Sequence, residues 1–353
     1  MKNSIICVFL FLFIITCNSS LSQNLEKKGT LNEATILFKK QGGLHLKLSY
    51  SNKDIKKKTN DSTYIKITIS YKTKDGLWND IGVEIRKRGN FRLKNCYYAP
   101  IKIKIKKSSG KGTLFEGNKK LKLVPPCLNN KSKNDYIIKE YLAYKLFELI
   151  SPYHFKTRFT DLIYTEIKGN KSKIHFLKGF IIEDDKKVAK RYGGKIIERF
   201  IHPLKQDPIS SVRNAFFQFM IGCTDFSTAY QHNQKLLFVN NEIFPIPYDF
   251  DISGLVNPSY AVFSGKKTEN LGLSSVKERL YRGFKRNPSI IQQVRNEFLA
   301  NKSRLIEIVD SFKSDFDDPK EFSEARKYIL DFFEILENEI QYNNEITSKL
   351  RIK

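Results

Sequence analysis

The sequence predicts an α+β protein with two lobes, a β-rich amino-terminal lobe over residues 23–183 and an α-rich carboxy-terminal lobe over residues 184–353. Apolar residues alternate with polar ones through the first half, as in strands with one buried face. In the second half they recur every three or four residues after Asp-Pro and Asn-Pro pairs, which typically start helices. Hydrophobic residues are 41% of 353, so the chain has material for a substantial core and general disorder is excluded.

The charge is strongly positive, with 62 Lys and Arg against 37 Asp and Glu, a formal net charge of +25. No dense basic block coincides with a nucleic-acid-binding motif, so we expect no nucleic-acid partner. The charge is therefore first a surface property, and only secondarily a bias toward anionic partners. The length also excludes a small module held together by disulfides.

Residues 1–22 have the pattern of an export signal. Lys2 supplies the positive start, residues 5–15 form an unbroken apolar run, and the small residues Ser20 and Ser22 occupy the positions that a signal peptidase reads. The run is shorter than the roughly 20 residues that a spanning helix needs, and no later segment could cross a bilayer. We expect an exported protein, periplasmic, at the cell surface or extracellular. Lipoprotein attachment through Cys17 fits less well, because threonine precedes that cysteine.

Cleavage after residue 22 would leave three cysteines, Cys96, Cys127 and Cys223. One pair is expected in an oxidising compartment. Cys96 and Cys127 are the predicted pair, because each lies beside a strand-like run in the same half of the chain. Cys223 lies in an apolar helical stretch and is predicted to be a small buried apolar residue.

The first half of the chain is predicted to form an antiparallel sheet with one helix. In the run at 99–107 three isoleucines share one face and Lys102, Lys104 and Lys106 share the other. The helix begins at Asn134 or Asp135 and continues to Ile150, where Pro152 stops it. The predicted strands lie at 64–73, 82–88, 99–107, 160–167 and 173–182.

Helices dominate the predicted second half. They start at Asp207-Pro208, at Asn287-Pro288 and at Asp318-Pro319. The second is expected to run through Val309 and the third through Ile340. A strand at Gln234–Val239 and another leading to Tyr248 form a hairpin between the first two helices. Any cleft is expected between the two lobes.

Four oxygen-bearing side chains flank this hairpin. Asp225 and Asn233 lie in the polar loop before it, and Asp249 and Asp251 lie in the turn after it. Phosphoryl transfer needs a divalent cation, which prefers carboxylate and amide oxygens as ligands. In a strand, Asp249 and Asp251 would share a face, and Asn233 could complete a metal site with them. Asp225 would lie farther out, beside an incoming hydroxyl.

The spacing excludes a standard protein kinase. Asp225 and Asn233 are eight residues apart, with no His-Arg before Asp225. In the catalytic loop of protein kinases the corresponding Asp follows His-Arg and is five residues from the Asn. The β-rich half also has no Gly-rich phosphate loop.

The order of several short motifs resembles the CotH kinase-like family, relatives of a bacterial spore coat protein. The R-G-N motif within Arg86–Arg92 is followed by the basic strand at 101–105, by the loop at 225–233 and by Tyr-Asp-Phe-Asp at 248–251. The chain is similar in particular to exported members from Bacteroidetes-type bacteria. The resemblance covers residues 80 to 285.

This resemblance implies an atypical two-lobed kinase fold that binds ATP and Mg²⁺ or Mn²⁺ between its lobes. It would transfer phosphate to hydroxyls of a surface or secreted protein. Lys104 first, and Lys102 second, would hold the phosphates, with Glu140 orienting the lysine. Arg88, beside the Gly89-Asn90 turn, would face an anion, and Glu183 would end the hinge between the lobes.

Simpler interpretations remain open for each of these residues. An Asp-x-Asp turn is often only solvated, the strand lysines are by default a wet sheet face, and Glu140 could be an ordinary exposed residue. Arg88 and Arg92 could pair with acids, and His232 could bond locally. The alternative functions are a catalytically inactive kinase-like fold that binds surface proteins or glycans, and a metal-dependent hydrolase using Asp249 and Asp251.

Overall fold

The computed structural model describes residues 33–40, 42–89, 91–261 and 271–352. The predicted export signal and Asn90 of the R-G-N motif lie outside these residues. The strands in the described part of the chain are β1 Leu44–Tyr50, β2 Ile65–Lys72, β3 Trp78–Lys87, β4 Ile101–Lys104, β5 Lys120–Val124, β6 Thr157–Lys168, β7 Lys171–Glu183, β8 Lys195–Ile197, β9 Gln234–Val239 and β10 Glu242–Pro247. The helices there are α1 Ile36–Lys39, α2 Asn52–Lys58, α3 Phe91–Asn95, α4 Lys107–Gly110, α5 Lys133–Ile150, α6 Asp185–Arg191, α7 Pro208–Met220, α8 Pro288–Ala300, α9 Lys302–Ser311, α10 Pro319–Glu337 and α11 Glu339–Glu345.

Strands β1 to β7 form a closed barrel in the order β1-β2-β3-β4-β5-β7-β6. The pairing of β1 with β6 is parallel, from Leu44 opposite Thr160 to Tyr50 opposite Glu166, and it closes the barrel. The other neighbouring pairs are antiparallel. The inward side chains of the strands fill the interior as one apolar cluster. A small second sheet has the order β10-β9-β8.

The predicted two-lobed, kinase-like arrangement of a β-rich amino-terminal lobe and an α-rich carboxy-terminal lobe is wrong. The fold is a barrel-like α+β fold, in which a closed mixed barrel is joined to helices. The difference comes from β1, which was not among the predicted strands although Leu44, Leu46 and Leu48 alternate with polar residues. By pairing with β6 it turns an open sheet with one buried face into a barrel with an enclosed interior.

The longer helices share a second core with the outer surface of the barrel. Helix α5 packs with β7 and with α9, so that Leu142 and Phe180 lie in the same buried cluster as residues of α7 and α10. Phe250 is fully buried here, with its ring 4.7 Å from that of Tyr144 and 5.3 Å from that of Phe217. The turn after β10 is therefore held against α5.

The predicted helix starts at the Asp-Pro and Asn-Pro pairs are confirmed. The side chain of Asp207 accepts a hydrogen bond from the Ser210 N–H, and Asn287 and Asp318 cap α8 and α10 in the same way. The helix expected to run through Val309 is instead interrupted at Asn301, whose Nδ2 donates to the Glu297 carbonyl (2.8 Å). The next predicted helix also breaks, between α10 and α11.

The predicted disulfide between Cys96 and Cys127 is confirmed, and Cys223 is a buried free thiol. Cys96 directly follows α3, and its N–H donates to the Arg92 carbonyl (2.9 Å). Among the described residues, no helix combines the length and the apolar character that crossing a membrane requires.

Candidate metal centre

Three carboxylates from two parts of the chain converge beside the barrel. Glu140 lies on α5, and Asp249 and Asp251 lie in the turn after β10. One oxygen from each lies within 4.8 Å of the others, a separation that one cation could bridge. Glu140 is 1% exposed and Asp251 5%, whereas Asp249 is partly exposed. We call these three residues the carboxylate cluster.

The turn that carries the two aspartates has an unusual backbone. Asp249 has φ +66°, in the left-handed region that non-glycine residues seldom occupy. Its N–H donates to the Tyr144 hydroxyl (3.0 Å), and the buried ring of Phe250 follows. Beyond Asp251, Ser253 pairs with Cys223, three residues after the end of α7. Asp249 and Asp251 thus reach Glu140 from a turn fixed on both sides, not from the strand that their spacing suggested.

Arg92 lies within the carboxylate cluster. Its Nη2 donates to Glu140 Oε2 (2.5 Å) and its Nε donates to Asp251 Oδ2 (2.9 Å). The guanidinium is almost fully buried, so these contacts exclude water. The sequence had suggested pairing with acids as the simpler role for this residue. Tyr260 Oη lies 3.5 Å from Asp251 Oδ2.

Burial dominates the electrostatics of the cluster. It raises the pKa of Glu140 to about 8, although Arg92 opposes the shift. Burial likewise raises the pKa of Asp251, and the charges of Asp249 and Asp225 add to that shift. Glu140 Oε1 is buried and has no hydrogen-bond partner among the described residues. Such an oxygen is costly unless something else satisfies it.

The loop with Asp225 and Asn233 forms its own hydrogen-bonded unit. Asn233 Nδ2 donates to the carbonyl (2.7 Å) and to Oδ2 (3.2 Å) of Asp225. His232 Nε2 lies 3.1 Å from Asp225 Oδ1. Arg282 fixes the loop by donating to the carbonyls of Thr224 and Phe226. The structure therefore brings Asp225 and Asn233 together, with Nδ2 of the Asn233 amide directed at Asp225; the role of Asn233 as a metal ligand stays a prediction.

Of the two lysines expected to hold phosphates, Lys104 is paired with a glutamate on the outer surface, whereas Lys102 lies opposite Lys122 in the pairing of β4 with β5. Lys104 Nζ is 2.7 Å from Glu84 Oε2 on the outer surface, and Lys102 Nζ is 4.0 Å from Asp184 Oδ2. The expected pair of Lys104 with Glu140 does not form, because Glu140 is bound to Arg92.

A different lysine is buried near the cluster. Lys122 on β5 forms an ion pair with Asp185, and its Nζ lies 5.0 Å from the Phe155 ring and 5.4 Å from the Tyr248 ring. Burial lowers its pKa. Lys122 was not among the predicted site residues, because its burial comes from Asp185, Phe155 and Tyr248, which are all distant in sequence.

Arg88, predicted to face an anion, lies close enough to Lys122, Tyr248 and Tyr144 for its charge to affect their pKa values. The positive charge of Arg88 acts to lower the pKa of each of these three groups. The hydroxyl of Tyr144 in turn accepts the hydrogen bond from the Asp249 N–H. The Arg88 side chain makes no hydrogen bond or ion pair with any described residue, although it is half-buried. The two cations give this side of the site a positive rim.

Glu183, at the end of β7, contacts none of these groups. It accepts hydrogen bonds from Arg191 Nη2 (2.9 Å) and from the Lys156 N–H (3.2 Å). These contacts hold α6 to the barrel.

The chain matches no protein-family model and no curated protein. Its resemblance to the CotH kinase-like family stays a prediction, and the chemistry of the site is the guide to its function.

Proposed function

We propose that the chain is a divalent-metal-dependent phosphotransferase, which moves phosphate from ATP to a hydroxyl of a surface or secreted protein. One observation carries this proposal: the buried convergence of Glu140, Asp249 and Asp251, with one Glu140 oxygen left without a hydrogen-bond partner among the described residues. The motif order that resembles the CotH kinase-like family points to the same reaction.

The carboxylate cluster suits Mg²⁺ or Mn²⁺. All three side chains offer the hard oxygen atoms that these ions prefer. Once Glu140 has lost its proton, the three carboxylates and the single guanidinium of Arg92 leave an excess of two negative charges, which one divalent ion would neutralise. Glu140, Asp249 and Asp251 would hold the ion, and a bound ion supplies neutralisation of crowded phosphate oxygens.

The positive rim supports a place for the phosphates. Arg88 has its guanidinium free of described partners, and guanidinium binds phosphate oxygens through two parallel hydrogen bonds. Lys122 is anchored by Asp185 and adds a second positive charge close by. In this proposal Arg88 and Lys122 orient the phosphate chain, and the outer-surface pair of Lys104 with Glu84 takes no part.

Asp225 is the proposed proton acceptor. The acceptor hydroxyl gives its proton to Asp225 while its oxygen attacks the γ-phosphorus, and the bond from that phosphorus to the β-bridging oxygen breaks to release ADP. Asn233 and His232 hold the Asp225 carboxylate in position through the hydrogen bonds already described.

Radiolabelled ATP tests this proposal, with the protein itself and casein as acceptors. We expect label transfer that needs Mg²⁺ or Mn²⁺ and falls about 10²- to 10⁴-fold in Asp225→Asn, as loss of a general base predicts. Asp249→Asn should abolish transfer by removing a metal ligand. Glu84→Gln is the matched control, because it alters a carboxylate on the outer surface of the barrel.

A thermal-shift titration with Mg-ATP separates the alternatives, because a ligand stabilises the folded state by mass action. Stabilisation without label transfer would support the inactive binding module. If Mg-ATP neither stabilises the protein nor gives label transfer, the result would contradict nucleotide chemistry altogether.

A further inference from the structure

We propose that the open edge of β7, residues 172–176, is a docking site at which an extended acidic segment of a partner protein adds to the barrel as a further strand. This inference does not depend on the phosphotransferase proposal. It follows from the strand pairing, from the exposed side chains and from the charge of the β6–β7 hairpin.

The pairing leaves part of β7 with a neighbour on one side only. Strand β6 pairs with β7 from Lys171 to Ile182, but β5 pairs with it only from Phe180 to Glu183. The Lys178 N–H donates to Asn134 Oδ1 (3.0 Å), so its backbone points away from β6. Backbone direction alternates along an antiparallel strand, and Ile174 and Phe176 therefore point the same way.

No backbone group of the described residues pairs with this edge at 172–176. A row of unpaired N–H and C=O groups is a template for another strand. Proteins bind extended peptides in this manner, with main-chain hydrogen bonds giving affinity and alternate side chains giving specificity.

The side chains at the edge are apolar and exposed. Phe176 is 72% exposed and Ile174 57%, and Ile167 on the same hairpin is 41% exposed. The intervening residues, His175 and Leu177, point into the barrel and are buried. Apolar side chains grouped on one exposed surface typically mark an interaction site. The apolar side chains of an added strand would cover Ile174 and Phe176.

The charge of the hairpin selects the partner. Lys171 and Lys173 are exposed and form no ion pair with any described residue, whereas Lys168 and Lys178 are paired with Glu166 and Asp161. A second copy of this chain would bring a hairpin of the same positive sign. An acidic segment would neutralise the two free lysines, so charge complementarity favours it over self-association.

Fluorescence anisotropy tests the proposal with a short labelled peptide in which valine alternates with glutamate. We expect saturable binding that weakens with added salt. Ile174→Pro should weaken binding at least about tenfold, because it removes an N–H from the open side while leaving the β6 pairing intact. Lys171→Glu with Lys173→Glu should weaken it as well. Phe200→Ser, which alters an exposed phenylalanine elsewhere, is the matched control.

Several outcomes would overturn the docking site. They are failure of the wild type to bind the peptide, equal binding of a peptide with lysine in place of glutamate, and unchanged binding by Ile174→Pro. Self-association of the wild type in light scattering, lost in Ile174→Pro, would assign the edge to a second copy. Phe176→Ser serves as a second variant if proline lowers the melting temperature, and it should also lose binding.

Discussion

Two cation–glutamate pairs of this protein have similar lengths and opposite surroundings. Arg92 and Glu140 are 2.5 Å apart and almost fully buried, with Asp251 on the same guanidinium. Lys104 and Glu84 are 2.7 Å apart on the outside of the barrel, where water reaches both. When one partner of the exposed pair is removed, water solvates the charge that remains, so little stability is lost. When one partner of the buried pair is removed, the remaining charge has neither a partner nor water, which destabilises the folded state. Burial, and not the length of the pair, decides what each contributes.

The largest effect is expected from Arg92→Met. This change leaves Glu140 and Asp251 buried without their shared cation and should lower the free energy of unfolding by about 3–5 kcal/mol. Urea unfolding followed by circular dichroism measures it. Arg92→Lys keeps the charge but lacks the rigid fork of the guanidinium, so the free energy of unfolding should fall by less than in Arg92→Met. A loss below about 1 kcal/mol in Arg92→Met would show that the pair behaves like an exposed one.

Asp249→Asn should have its main effect on metal binding. Asparagine tolerates the left-handed backbone at this position and preserves the N–H contact with Tyr144, so the fold should be kept. Loss of one charged ligand should weaken Mn²⁺ binding at least about tenfold, measured by isothermal titration calorimetry. Asp184→Asn, next to Lys102, is the control. If the wild type and Asp249→Asn bind Mn²⁺ with equal affinity, Asp249 is not a metal ligand.

The buried cluster should also make stability depend on pH. The pKa of Glu140 is about 8 in the folded chain against an ordinary 4.5, so between these values the folded state holds a proton that the unfolded state has lost. Without metal, the free energy of unfolding should therefore fall as pH rises from 4.5 to 8. Glu140→Gln should flatten this part of the profile. Mn²⁺ affinity should rise over the same range, since metal binding requires the ionised carboxylate.

The smallest effect is expected at the exposed pair. Lys104→Ala and Glu84→Gln should leave the urea midpoint unchanged within error, because exposed ion pairs often contribute nothing measurable. Their phosphotransfer activity should equal that of the wild type. A marked loss of activity in Lys104→Ala would restore the sequence-based assignment of this lysine to the phosphates.

Local patterns predicted most strands and the starts of the main helices, since alternation and Asn/Asp-Pro caps act within a few residues. They also identified Asp249 and Asp251 by residue type and spacing. Closure of the barrel was not predictable in this way, because the pairing of Leu44 with Thr160 depends on distant segments. A local pattern cannot specify which distant strand will be its neighbour.

The rest of the site was hidden for the same reason. Arg92 and Glu140 are 48 residues apart, and Lys122 and Asp185 are 63 apart. Each contact is created by tertiary packing. Lys104 looked suitable because it lies on a polar strand face, but there it pairs with Glu84, whereas Lys122 on the neighbouring strand is buried by contacts with distant residues.

The closing pair of strands also sets an order for biosynthesis. Leu44 pairs with Thr160, which is 116 residues later, so β1 cannot pair with β6 until the ribosome has synthesised β6. At about 5–20 residues per second this takes roughly 6–23 seconds, during which one edge of β1 remains unpaired. The barrel therefore depends on whatever protects that nascent edge, and a chain released before residue 157 would expose it permanently.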